Sequence, residues 1–166
     1  NFFNTIEGTN DIVSDLEDLK NNDNIYGTLS ILKLIQKNNT EKNFSISNEL
    51  YKEIIFSEKL NNLYISAISV HASYTLINAS YENNTKEYIE DISTFISNID
   101  DNLESYFSLK EELKYLLLLT EIDINNYDYK NNSEIISLYN SIYNSEIILP
   151  SVKERVKKIH EFQLYN

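Results

Sequence analysis

Cysteine, methionine and tryptophan are absent from these 166 residues, glycine occurs twice and proline once. The lack of cysteine excludes disulfides, thiolate nucleophiles, zinc fingers and iron–sulfur ligands, but it selects no compartment. A complete reading frame begins with methionine, so the expectation is a processed mature chain, an excised domain or a chain whose start is not shown, with sequence preceding Asn1. Scarce glycine and proline leave almost none of the turn vocabulary on which β-hairpins and βαβ connections draw, and no glycine-rich loop that could cradle a phosphate. Arginine occurs once, at Arg155, and histidine twice, at His71 and His160. Neither the Glu-x-x-His pairs of di-iron bundles nor the His-Glu-x-x-His of zinc proteases is present. The longest apolar run, residues 115–119, falls far short of the ~18 residues of a membrane span.

Of the side chains present, 42% are hydrophobic and 24% charged, which is ordinary globular composition in a chain long enough to build its own core. Asparagine makes up roughly one residue in seven, and with heavy isoleucine, tyrosine and lysine usage this describes an AT-rich microbial genome more than a function. Asn-x-Ser/Thr triplets, as at Asn38, Asn78, Asn83 and Asn131, arise by chance in such a composition and are not read as glycosylation sites. A net charge of -12 repels phosphate backbones and anionic lipid and favours basic partners, so nucleic acid is not expected as a ligand.

Apolar residues recur at helical spacing along the chain, with asparagine pairs between the runs. Ile12, Val13, Leu16 and Leu19 predict a first helix capped by Thr9 or Asn10. Ile25, Leu29, Leu32 and Ile35 predict a second over about 24–37, paired antiparallel with the first. Leu50, Tyr51, Ile54 and Ile55 predict a third, opened by Ser45 or Ser47. Residues 63–81 hold no charge and carry two apolar stripes, Leu63, Ala67, Val70, Tyr74, Ile77 and Tyr81 beside Tyr64, Ile68, Ala72, Leu76 and Ala79. This helix is expected to be surrounded by others, its serines and alanines allowing close approach.

Tyr88, Ile92, Phe95, Ile99 and Leu103 predict a long helix loosening near Asp100 and Asp101. Ser108-Leu109-Lys110-Glu111 reads as a capping box before Leu109, Leu113, Leu116 and Leu117, ending near Glu121. A helix over 133–144 follows a long loop. Pro150 then forces a boundary, and Ser151-Val152-Lys153-Glu154 reads as a second capping box. Val152, Val156, Ile159 and Phe162 mark the buried face of the last helix. The fold expected is all-α, a single closed bundle of six to eight amphipathic helices over residues 1–166, with 1–8 a flexible tail. Caps near Asn10, Ser47 and Asn84, spaced by roughly 37 residues, make a short α-solenoid of helical hairpins the alternative.

Chemistry is harder to find. His71 reads as a structural histidine on an apolar helix, and His160 belongs to the basic end of the last helix, where Lys153, Arg155, Lys157 and Lys158 complement the dipole. The acidic groups Asp15, Glu17 and Asp18, Glu90 and Asp91, Asp100 and Asp101, and Glu111 and Glu112 read as solvated faces. Asp123, Asn125, Asn131 and Glu134 fall at positions 1, 3, 9 and 12 of a calcium loop. Tyr127, Asp128 and Lys130 break that pattern, so the segment reads as a polar loop and neither metal nor cofactor is assigned. Its paired tyrosines among Asn and Asp resemble protein-binding surfaces in chemistry, which makes Asp123, Tyr127, Asp128 and Tyr129 the candidate partner-binding residues and leaves no catalytic ones.

By elimination the chain reads as a non-enzymatic helical domain that binds a protein with a basic surface. It is expected to be the exposed part of a secreted or surface-anchored microbial product, a lipoprotein candidate. The alternatives are a cytoplasmic acidic inhibitor of the immunity type, masking a basic partner, and an enzyme with a cryptic carboxylate site.

Overall fold

The computed structural model describes residues 25–166, and the described residues form seven α-helices and no strand. The helix expected over the Ile12–Leu19 stripe, the Asp15, Glu17 and Asp18 group and the 1–8 tail lie outside the described residues. The helices fall into two compact units, Asn1–Glu58 and Lys59–Asn166.

The first unit contributes α1, Ile25–Thr40, packed on α2, Phe44–Ile55. Ile31, Leu34 and Ile35 form the buried stripe of α1, while Leu29, expected on that face, is exposed. Asn38 Nδ2 donates to the Leu34 carbonyl and Thr40 Oγ1 to that of Gln36, folding both side chains back onto the helix four residues earlier. Lys42 takes a left-handed backbone, φ 60°, in the turn that follows. α2 starts at Phe44 rather than at a serine, and Ser47 is buried beside Leu50, Tyr51, Ile54 and Ile55.

The second unit comprises α3, Asn62–Asn83; α4, Ile89–Ser97; α5, Glu104–Ile124; α6, Ser133–Asn144; and α7, Pro150–Tyr165. It is a helical bundle in which α5 packs against all four of the others, with α3 and α7 beside it and α4 and α6 bridging along the chain. Asparagine does the work that glycine does elsewhere. Asn61 caps α3 by accepting from the Tyr64 N–H at 3.1 Å, and Asn84 ends it in the left-handed region at φ 49°, ψ 49°. α3, which carries no charge between Leu63 and Tyr81, buries Ser66, Ser69, Ala72, Ser73, Leu76, Ala79 and Ser80, so small side chains do let its neighbours in. The helix is not surrounded, however: Leu63, Tyr64, His71, Asn78 and Tyr81 are all exposed along it.

Two boundaries move for identifiable reasons. α4 stops at Ser97 instead of running on to Leu103. Asn98 Nδ2 donates back to the Thr94 carbonyl, Asp100 Oδ1 accepts the Asn102 N–H at 2.9 Å in a side-chain turn, and the Asp100 N–H donates to Ser66 Oγ at 2.9 Å. α5 begins at Glu104 and runs through the supposed capping box. Ser108 lies inside the helix, where its Oγ accepts the Leu149 N–H at 3.0 Å and ties the segment before α7 to α5. Nor does Ser151 cap α7, because Pro150 is already helical and Leu149 holds the cap position.

One core cluster joins α5, α6, α7 and the two loops that connect them. Tyr115, Leu119 and Ile122 meet Tyr129, Ile135, Ile142, Ile148, Val152 and Val156 there.

Candidate functional site

α5 hands over to α6 through a loop held by several backbone and side-chain hydrogen bonds of its own. Asn125 ends the helix, its Nδ2 donating to the Glu121 carbonyl at 2.7 Å and its Oδ1 accepting from Lys86 Nζ. Asn126 sits at φ 53°, the left-handed turn that asparagine tolerates better than most residues. The next N–H, of Tyr127, returns to the Ile122 carbonyl at 2.9 Å. Asp128 then turns the chain: Oδ1 accepts the Lys130 N–H at 3.0 Å and Oδ2 the Asn131 amide at 2.5 Å. Asn132 donates its N–H to the Tyr129 carbonyl, and its side chain caps α6 by accepting from Ile135 N–H at 3.1 Å.

The four residues singled out from sequence are not equivalent in this frame. The Tyr127 side chain stands in solvent, 64% exposed, and Asp128 is exposed beside it. Asp123 still belongs to α5 and is partly buried, which raises its carboxyl above the ordinary value. Tyr129 is a correction. It is only 7% exposed and packs in the core, so a partner would meet one tyrosine and not two. Burial also raises Glu121, with the charge of Glu134 adding to the shift, so acidic groups crowd this end of the unit. The calcium-loop positions are spent otherwise: Asp123 is helical, Asn125 binds Glu121 and Lys86, Asn131 binds Asp128, and Glu134 lies in the first turn of α6. Among the described residues no three acidic or histidine side chains gather as metal ligands.

Tyr129 is held by a line of polar atoms that crosses the core. Its Oη lies 2.5 Å from that of Tyr115 on α5 and 2.6 Å from Nδ1 of His160 on α7. The His160 ring stacks on Tyr139 of α6 at 3.7 Å between centroids and 12° between planes, and Tyr139 stacks in turn on the exposed Tyr143 at 5.8 Å. One loop and three helices are thus pinned at a single histidine. Burial holds that imidazole below its ordinary value, the nearby Glu161 charge opposing the shift, and burial raises the Tyr115 phenol. His160 is therefore a core residue, while Phe162, expected inside, is 65% exposed. His71, on α3, is exposed.

A second buried polar cluster escaped the sequence reading altogether. Glu112, placed there on a solvated face, is 3% exposed. Arg155 grips both its oxygens, Nε to Oε1 at 2.8 Å and a terminal nitrogen to Oε2 at 2.7 Å, and Tyr74 donates to Oε2 at 2.9 Å. α3, α5 and α7 meet at this one carboxylate, both of whose oxygens are engaged. Nearby, Lys110 is buried with its ammonium on the Ile99 carbonyl at 3.0 Å and on Asp101 at 2.8 Å, closing the bend between α4 and α5.

The signal for these residues was spacing. Ser108, Glu112, Tyr115, Leu119 and Ile122 alternate four and three apart and are all buried, and Val152, Val156 and His160 form a row four apart. Polar members hide such stripes when only apolar residues are counted. No helix of the described residues is long and apolar enough to cross a membrane. In comparisons with protein-family models, curated proteins and solved structures the chain finds no match.

Proposed function

We propose that the chain is a non-enzymatic protein-binding domain that engages a basic partner through the loop between α5 and α6, with Tyr127 as its aromatic anchor. The observation that carries this reading is the contrast within the loop. Tyr127 stands in solvent on a backbone whose neighbours are tied down on both sides, by its own N–H to Ile122 and by the buried Tyr129. A preformed aromatic contact forfeits little conformational entropy on binding, which is what an interface anchor requires. Asp123, Asp128, Glu121 and Glu134 set the sign of the preferred partner, and the net charge of -12 extends it. The two buried carboxylate and lysine clusters support the same reading, since Glu112 and Lys110 are engaged by partners of opposite charge and serve to join helices.

Panning a random-peptide display library against the wild-type chain and against Tyr127→Ala tests the proposal. The wild type is expected to enrich lysine- and arginine-rich peptides carrying an apolar residue, with affinities that fall about tenfold or more on Tyr127→Ala. Enrichment of neutral or acidic peptides, or of basic peptides indifferent to Tyr127, would overturn it.

A further inference from the structure

The polar line behind the loop obeys a proton count. Tyr115 Oη, Tyr129 Oη and His160 Nδ1 make two links, at 2.5 and 2.6 Å. Each link needs one hydrogen. If Nδ1 accepts from Tyr129, and Tyr129 accepts from Tyr115, the two hydroxyl hydrogens fill the two links and the imidazole keeps its own hydrogen on Nε2. A further proton would go to Nδ1. The line would then hold three hydrogens for two links. Either the links reverse and strand the hydroxyl hydrogen of Tyr115, whose side chain is fully buried, or the contact between Tyr129 and His160 opens.

We propose that this line is a pH-controlled latch, in which protonation of His160 frees Tyr129 and loosens the loop that presents Tyr127. The groups facing His160 are Tyr129 from the loop, with Tyr115 of α5 behind it, and Tyr139 from α6, with Glu161 and its partner Lys157, 3.8 Å apart, on α7 itself. Only Glu161 favours the imidazolium by its charge, and burial outweighs it, so the latch is closed at neutral pH and opens below the ordinary imidazole range. Tyr129 is the one residue of the loop between α5 and α6 whose side chain enters this core cluster, which is why its release reaches Tyr127. The consequence for binding rests on the function proposed above. The latch itself does not.

Amide hydrogen exchange on the full chain, corrected for the intrinsic pH dependence of exchange, reads the latch without any ligand. Protection of residues 125–132 is expected to fall about tenfold or more between about pH 7.5 and about pH 5, while the amides of α4, which carries no histidine, serve as reference. His160→Gln keeps an oxygen that can accept from Tyr129 but takes up no proton, and should abolish the pH effect. Tyr129→Phe keeps the ring and cuts the link, so its loop should be less protected equally at both pH values. Unchanged wild-type protection, or a pH-dependent loss that survives in either variant, would overturn the latch. Should His160→Gln fail to fold, Tyr129→Phe alone decides. A pH-dependent loop whose enriched peptides ignore Tyr127→Ala would support the latch and sink the binding reading, and the converse result would do the reverse.

Discussion

Two tyrosines separated by one residue have opposite fates because Asp128 turns the chain between them. Tyr129 spends its ring on the core and its hydroxyl on His160, whereas Tyr127 spends only its backbone N–H. Composition offers no way to tell them apart, since a tyrosine's apolar ring and polar tip suit either side of a surface. The difference is measurable. Tyr129→Ala should destabilise the chain by about 3–5 kcal/mol, as large-to-small changes at buried aromatics do, and Tyr127→Ala by no more than about 0.5 kcal/mol. Urea unfolding followed by circular dichroism checks both. Equal losses would mean that Tyr127 is also part of the packing and would remove it as a free anchor.

At the scale of elements, the periodic apolar stretches were legible and their ends were not. The helix expected over 133–144 forms over those residues, with Asn132 capping it. Pro150 marked the start of α7 correctly because a missing N–H costs nothing in a first turn. Ser108 misled, since a Ser-x-x-Glu pattern inside a long helix looks the same as one at its start, and only the Leu149 N–H arriving from another segment shows where that hydroxyl is used. Glu112 and Arg155 were illegible for a related reason: their meaning lies in each other, 43 residues apart. Removing one partner leaves the other charge buried. Arg155→Ala should cost about 2–4 kcal/mol, towards the lower end of the usual range because the guanidinium is half in water, whereas Lys158→Ala on the same helix should change little. Thermal melts of the two variants side by side would expose the error if the losses matched.

For the whole molecule, the acidic balance and the two histidines pull stability in a definite direction with pH. His160 in the core and His71, partly desolvated although its residue is exposed to solvent, both have imidazoles held below the ordinary value of 6.5. The unfolded chain therefore binds more protons than the folded one once pH drops below 6.5, and stability falls until the depressed folded values are passed. Glu121 and Asp123 act in the opposite sense. Burial raises their carboxyls above 4.5 and 3.8, so the folded chain binds the extra protons there, and stability is recovered as pH falls through the raised values towards the ordinary ones. Melting temperature should accordingly decline on the first acid step from neutrality and decline less, or turn, in the carboxylate range. His160→Gln should flatten the first step and leave the second unchanged, because it removes one titrating imidazole and touches neither carboxylate. A melting profile whose first step is as steep in His160→Gln as in the wild type would assign that step to His71 and release His160 from any part in the acid response.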